Sequence, residues 1–476
     1  MEKRSILICP WGKFDNWDET TYYYKDYETE NTRSTLKIMH EITEPDRTVI
    51  FVQDTIVTNL HESYLKLCED VESKTYKFIT DHKLIPQEMN PKNLLVKILP
   101  GVGNYSTWIQ VAKEQFLGEF DGSMEPISII IFQQLFQEFY SLFQESSSPS
   151  QDSSSSSQEC SPSSLKEQKL EIYLDLTHGM NILPVMVYKI VGELSQLFAM
   201  VEEVSLKVYI SEPYIRGNEN IKLQIHEIED LKFEGFIPRF EFTDGIGNME
   251  SKELNAFISS IHFGFPLLAL YTFPKQKELE SIIEEEIQSF RDGIEIKSEP
   301  ENLVTKENSS YKKIIVKHTR EIHQELYKLL IVYAYVSLHR IDIPAFKNGI
   351  SIQKLYDLSK KIYSNNTICN LIKTELLSSL RYNIARNASN LKEKCWISYA
   401  EIINEKPEVN IQKRNFSAHI GLERNTFEIF IDSLENYPKN KSRKNQKKWI
   451  KNSAKIRYRD DKIGKIYETA ESILNG

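Results

Sequence analysis

At 476 residues the chain is longer than one hydrophobic core usually organises, and 40% apolar with 11% aromatic residues excludes a disordered polymer. A formal net charge of −9 excludes a uniformly basic nucleic-acid binder. That average hides two opposed segments: acids dominate residues 275–301, whereas residues 437–459 carry ten Lys or Arg and no Asp or Glu.

No window holds 18 consecutive apolar residues, and the apolar run in "MEKRSILICPWGKFD" is too short for a secretory signal, so a cytoplasmic protein without a membrane anchor is expected. The five cysteines, Cys9, Cys68, Cys160, Cys369 and Cys395, form no C-x-x-C and have no His at metal-ligand spacing. They read as buried or incidental thiols, and no metal site or disulfide framework is expected.

In chain order, "SILICPWG", "TVIFVQDT", "NLLVKILPG", "KLEIYLDLTHG", "VSLKVYIS" and "IKLQIHEI" have the composition of strands. Residues 60–82, "SIIIFQQLFQEFYSLFQ" and "NILPVMVYKIVGELSQLFAM" have helical length and spacing between them. Such alternation predicts an α/β domain over residues 1–230, Rossmann-like, with a mostly parallel sheet that binds ligands beyond the carboxyl ends of its strands. Residues 145–164, "ESSSPSQDSSSSSQECSPSS", cannot bury a core and are expected to be a mobile surface insertion. Deleting residues 147–163 should leave a soluble, folded protein; an insoluble or unfolded deletion variant would contradict this.

Beyond about Glu234 helical spacing takes over, with helices expected over "SKELNAFISSIHFGFPLLALY", "QKELESIIEEEIQSF", "YKKIIVKHTREIHQELYKLLIVYAYVSLHR" and "TICNLIKTELLSSLRYNIARNASNLKE". The acidic, Gly- and Pro-containing stretch from Asp292 to Ser310 is the expected hinge. It separates a helical connecting region, residues 231–310, from an all-α domain, residues 311–476.

The strand "EIYLDL" runs into a turn at Thr177, His178 and Gly179 and then a helix that tolerates Pro184 in its first turn. A helix start with a glycine before it suits an anion, with Thr177 and Asn181 as added polar partners. On the residues alone, an ordinary capped strand-to-helix turn has the same pattern. Trp11, Gly12 and Lys13 follow the first strand, and Asp54 and Thr55 follow the second, where they can stack on or hydrogen-bond a base. No G-x-G-x-x-G is present, which argues against an NAD-type cofactor.

The pattern Asp175-x-Thr177-His178-Gly179-x-Asn181, the N-terminal "ICPWG...W...Y" and the pair Asp54-Thr55 resemble the sensor (CARF) domain of CRISPR-associated type III effector ribonucleases. The resemblance implies a Rossmann-like domain that pairs with a second copy and binds a cyclic oligoadenylate across the two-fold axis. It implies that Thr177, His178, Gly179 and Asn181, with Met180 in the same segment, meet the ring of phosphates and riboses. Trp11, Gly12, Asp54 and Thr55 would lie around the adenines, and Arg33 and Ser34 are further candidates. Tetra-adenylate is the first choice of activator by this resemblance and hexa-adenylate the second.

In the last fifth of the chain stands "RNFSAH", residues 414–419. Spacing alone does not single it out, because Arg33 and His40 satisfy a relaxed form of the same pattern. Asn415 is a good N-cap, which would place Arg414 just before a helix and His419 at its fourth position, the preferred arrangement; were both mid-helix instead, five steps of about 100° would separate their directions by about 140°, and only the length of Arg would bring its tip near His. Metal-free RNA cleavage needs a base for the ribose 2'-OH, an acid for the leaving 5'-oxygen and a cation for the phosphorane. Histidine and arginine supply those roles, and one pair per chain leaves one proton role unfilled unless two copies combine.

"RNFSAHIG" is similar to the Arg-Asn-x-x-Ala-His core of HEPN ribonuclease domains, which lie C-terminal to the sensor in the same effectors. The resemblance implies a homodimeric or higher-order, cyclic oligoadenylate-activated, metal-independent endoribonuclease of antiviral defence that cuts single-stranded RNA. Arg414 and His419 would be catalytic, with Asn415 orienting. The alternative is a non-catalytic, nucleotide-sensing regulator that binds RNA or DNA. The basic segment 439–459 is a candidate RNA contact, with Trp449 and Tyr458 as stacking groups.

Overall fold

The computed structural model describes residues 3–86, 89–111, 114–145, 168–179, 182–214, 221–302, 311–341, 349–406 and 408–476. The expected Ser-rich insertion lies outside the described residues except for Glu145. The chain divides into two compact units, one of residues 1–236 with 283–330 and the other of residues 237–282 with 331–476. These borders differ from those read at 230 and 310.

The first unit is built on an eight-stranded sheet. Its strands are β1 (Lys3–Pro10), β2 (Thr21–Tyr24), β3 (Tyr27–Glu28), β4 (Arg47–Gln53), β5 (Leu94–Leu99), β8 (Lys169–Asp175), β9 (Glu203–Ser211) and β10 (Lys222–Lys232). Between β5 and β8 the chain forms β6 (Gly103–Val111) and β7 (Glu114–Gly122). The order β3-β2-β10-β9-β8-β1-β4-β5 makes β9, β8, β1, β4 and β5 a parallel core, with β10 antiparallel to β9. Helices α1 (Leu36–Thr43), α2 (Tyr64–Asp81), α3 (Glu125–Glu145) and α4 (Ile182–Phe198) accompany it. Strand β1 is buried from Arg4 to Pro10, and within it residues 6–9 form the continuous apolar run that a parallel strand covered on both faces requires.

A second, four-stranded sheet of order β11-β12-β7-β6 recruits β11 (Ile294–Asn302) from within the expected hinge and β12 (Tyr311–His318) from beyond it. This corrects two helical or hinge readings. Residues 311–318 alternate Ile314 and Val316, buried, with Lys313 and Lys317, which meet Glu119 at 2.6 Å and Asp121 at 3.6 Å on β7. Period-2 burial of β-branched residues is a strand signature, and the following run helps to mask it in a helical reading.

The second unit holds α5 (Ser251–Phe263), α6 (Pro266–Thr272), α9 (Ile352–Ile362), α10 (Asn366–Thr374), a π-turn at Glu375–Leu380, α11 (Arg381–Arg386), α12 (Tyr399–Ile402), α13 (Lys413–Ala418), α14 (Arg443–Ser453) and α15 (Ile463–Leu474). Helices α7 (Gln276–Asp292) and α8 (Leu326–His339) run through the borders between the units. The expected helix over residues 251–271 breaks at Gly264, whose φ of 72° is left-handed and whose added Cβ would lie 2.6 Å from Ile368 Cγ2.

This unit is mainly helical, yet it also has an antiparallel sheet that the all-α expectation did not include. Its order is β13 (Ile350–Ser351), β16 (Ala454–Tyr458), β15 (Phe427–Ile431) and β14 (Trp396–Ser398). Phe427, Ile429 and Ile431 of β15 are buried while Glu428 and Phe430 are half-buried, so these short strands follow a two-residue period too brief to stand out in sequence. Among the described residues, no helix is long and apolar enough to cross a membrane.

Candidate functional sites

The first constellation gathers at the carboxyl ends of the parallel strands. The Trp11 amide donates to Phe51 O at 2.8 Å and the Gly12 amide to His178 O at 2.8 Å, fastening the end of β1 to its neighbours. Asp175, buried at the end of β8, accepts from Thr35 Oγ1 at 2.5 Å and from the Thr177 amide at 3.0 Å. Burial pushes its carboxyl above the usual range, partly offset by these bonds. Thr177 Oγ1 in turn accepts from the Ser211 amide at 3.0 Å.

His178 is held from two sides. Its Nε2 accepts from the Thr35 amide at 3.1 Å at the start of α1, and its ring stacks on Trp17 at 4.0 Å. A backbone amide can only donate, so Nε2 is the acceptor and Nδ1 carries the proton. Burial lowers its pKa to about 3, leaving it neutral at physiological pH. Gly179 has no room for a side chain, since an added Cβ would lie 2.0 Å from Pro184 Cγ.

The other sequence candidates divide. Arg33 is partly exposed, with Nε 3.5 Å from Glu19 Oε1, while the buried Ser34 accepts from the Leu36 amide at 3.2 Å. Trp11 is only 1% exposed and sits among Phe14, Trp17 and Phe78, so it presents backbone rather than a stacking face. Asp54 is fully buried beside Gly101, and burial raises its pKa to about 7. Thr55 is half-buried next to it. Met180 and Asn181 lie outside the described residues. Thr35 was not singled out from the sequence, and Trp17 entered only as the second tryptophan of the N-terminal pattern. The Ser-Thr pair before the helical run from Leu36 was the available signal for Thr35.

The second constellation is a cleft of about 270 Å³ in the C-terminal unit, lined among others by Glu375, Asn383, Asn415, His419, Glu423 and Arg424. Helix α13 is one and a half turns long and is anchored by Phe416, fully buried against the Phe265 ring at 5.0 Å. The expected cap is corrected: Gln412, not Asn415, precedes the helix, and Gln412 O accepts the first intrahelical bond from the Phe416 amide at 2.9 Å. Arg414 and Asn415 are therefore helical, and His419 is the C-cap rather than a fourth helical residue. The chain then turns through left-handed Ile420 and Gly421, where Gly421 O accepts from Tyr458 Oη at 3.0 Å.

Exposed His419 places Nδ1 3.3 Å from Glu375 Oε2. A carboxylate accepts from an imidazole N–H, so this contact favours the proton on Nδ1 and leaves Nε2 with its lone pair. Glu375 opens the π-turn, an interruption of helical winding often found at functional sites, and no residue pattern distinguished it from its helical neighbours. Asn415 shares the cleft, its amide donating to Gln412 Oε1 at 2.6 Å. Arg414 is exposed and does not line the cleft, as five helical steps of about 100° turn it away from His419.

Glu405, Glu423 and Arg424 also line the cleft and are internally paired. Arg424 bonds Glu405 and meets Glu408 at 3.0 Å, while buried Glu423 accepts from the Asn425 amide at 2.9 Å and is shifted upward by burial. Among the described residues no group of three or more His, Cys, Asp or Glu side chains is arranged to hold a metal ion. The decoy pair separates cleanly: His40 is buried on α1, its Nε2 3.1 Å from Thr48 Oγ1, with its pKa lowered to about 4 by burial.

Residues 6–213 match the family model described as the CARF domain of the CRISPR system endoribonuclease Csx1, and residues 365–436 match the HEPN domain of the same enzyme. The chain is 29% identical to the CRISPR system endoribonuclease Csx1 of Methanocaldococcus jannaschii, over 97% of this chain and 92% of that protein. A solved structure, Enterococcus italicus Csm6 bound to cyclic hexa-2'-fluoro-hexa-dAMP, is 14% identical over 82% of this chain and 67% of its own, with a TM-score of 0.22. The two domain matches, in this order on one chain and each containing one constellation, together with the 29% identity over nearly the whole chain, support a CRISPR type III accessory ribonuclease with a CARF domain followed by a HEPN domain.

Proposed function

We propose that the N-terminal domain binds a cyclic oligoadenylate, tetra-adenylate first and hexa-adenylate second, and that this switches on cleavage of single-stranded RNA by the C-terminal domain in antiviral defence. The observation that carries the reading is the cleft that joins His419, Asn415 and Glu375 inside the HEPN match. His419 Nε2 takes the proton of the ribose 2'-OH and Asn415 orients the site, while Arg414, turned away from the cleft of its own chain, holds the phosphate once two copies combine. The attacking 2'-oxygen displaces the 5'-oxygen, leaving a 2',3'-cyclic phosphate and a 5'-OH.

The leaving oxygen needs a proton, and a second copy of His419 supplies it in a two-fold dimer. The ligand acts by binding the active arrangement of that dimer better than the inactive one. Because the chain supplies base, acid and cation, the cycle requires no metal. The test is labelled single-stranded RNA incubated with the protein and each cyclic oligoadenylate in EDTA. Ligand-dependent cleavage with cyclic phosphate ends is expected; no cleavage with any ring size, or cleavage only when a divalent ion is restored, contradicts the reading.

A further inference from the structure

The basic segment that the sequence set apart becomes, in the structure, one face of a helix. On α14, Arg443, Lys444, Lys447, Lys448 and Lys451 fall within an arc of roughly 140°, while Ile450 faces the interior and Gln446 donates to Lys439 O at 3.1 Å. No Asp or Glu occurs between Tyr437 and Arg459, and among the described residues none of these five cations is bridged to a carboxylate. Five like charges on one short helix repel one another, an arrangement that is relieved by a polyanion.

An aromatic ring lies under the same face. Tyr382 of α11 is 40% exposed, with the Lys447 ammonium 4.8 Å and the Arg443 guanidinium 5.4 Å from its ring centroid. The next residue, Asn383, lines the His419 cleft and donates to Tyr399 Oη at 3.0 Å. Consecutive residues of one helix thus serve the cationic face and the cleft. Trp449 packs edge-on to Tyr437 at 5.2 Å and Tyr458 is fully buried, so Tyr382, rather than the two aromatics singled out from the sequence, is the available stacking surface.

We propose that α14 and Tyr382 form the track along which single-stranded RNA reaches His419, the cations taking successive phosphates and the Tyr382 ring taking one base. A ring flanked by cations suits a flexible single strand, whose unpaired bases can stack, and does not suit a duplex. Helix α14 lies beyond residue 436, outside the matched HEPN segment, while Tyr382 lies within it. This inference rests on the ribonuclease reading, deepening it to how the substrate is held.

The test compares full-length protein with the Lys444→Ala/Lys447→Ala/Lys448→Ala variant and, separately, Tyr382→Ala; these positions are exposed or half-buried, so folding should survive. Binding of a fluorescein-labelled RNA of roughly 20 nucleotides is measured in the His419→Ala background across salt concentrations, where each lost phosphate contact should flatten the slope of log affinity by about 0.7. The triple variant should flatten it by about 2 and weaken binding at least about tenfold, and Tyr382→Ala should weaken binding about tenfold with little change of slope. With His419 restored, cleavage of a dinucleoside monophosphate, which has no phosphate beyond the scissile one for the cations of α14 to take, should keep its rate while KM for the long RNA rises. Unchanged RNA affinity and slope, with or without loss of binding to phosphatidylserine vesicles, overturns the proposal, as does equal loss of cleavage on long and short RNA. A parent protein that cuts no RNA defeats the ribonuclease reading instead, and RNA affinity in the His419→Ala background still decides the track.

Discussion

Replacing His419 by Ala should lower activator-dependent cleavage of single-stranded RNA by about 10²–10⁴-fold, the usual contribution of a positioned general base or acid. Activator binding should be unchanged, because the activator is assigned to the other domain. In a two-fold assembly the substitution removes both proton-transfer groups at once, which places the loss toward the upper end. The side chain is exposed at the end of a short helix, so its truncation creates no cavity and the fold should persist. Glu375→Gln should act in the same direction but less, by about 10- to 100-fold, since it keeps an acceptor near Nδ1 while removing the charge that favours the reactive tautomer. The measurement is the rate of product formation from labelled RNA at saturating activator. RNA cleavage that persists in purified His419→Ala protein would refute the catalytic assignment and favour a nucleotide-responsive binding protein.

Replacing His178 by Ala should weaken activation by the cyclic oligoadenylate about 5- to 150-fold, with basal cleavage untouched. The magnitude is that of leaving one buried amide unpaired, about 1–3 kcal/mol, here the Thr35 N–H at the start of α1. Loss of the Trp17 stack loosens the same junction, so the turn and the start of α1 lose their common anchor. The activator concentration giving half-maximal RNA cleavage reports the effect, and a value equal to that of the parent would remove His178 from the site. pH supplies an independent check. His178 stays neutral in the folded chain down to about pH 3, whereas the unfolded residue protonates near its ordinary 6.5. The unfolded state therefore binds more protons below pH 6.5, and this residue's contribution to stability falls as pH drops from there toward 3. His178→Ala should flatten that part of the stability profile.

The strands of the parallel core were legible because a strand covered on both faces must be apolar at every position, a local signal that "SILIC" and "TVIFV" carry unaided. Strand β12 was not legible in that way, since its half-buried alternation becomes decisive only when β7 supplies carboxylates for Lys313 and Lys317, and β11 follows by pairing with β12. The C-terminal sheet is built of strands of two to five residues, too short for any period to emerge.

The sequence by itself determined the chemical inventory: a Thr-His-Gly turn at a strand end, an Arg-Asn-x-x-Ala-His segment far downstream, and a block of cations without acids. Only the tertiary structure decided what each side chain faces. It buried His40 and Trp11, set Glu375 against His419 across 44 residues, moved the helix start from Asn415 to Gln412, and put Tyr382 beneath the cations of α14. The physical reason is range. Apolar periodicity and capping act within a few residues, whereas burial, tautomer choice and cation–π contact depend on groups brought together by packing from distant parts of the chain.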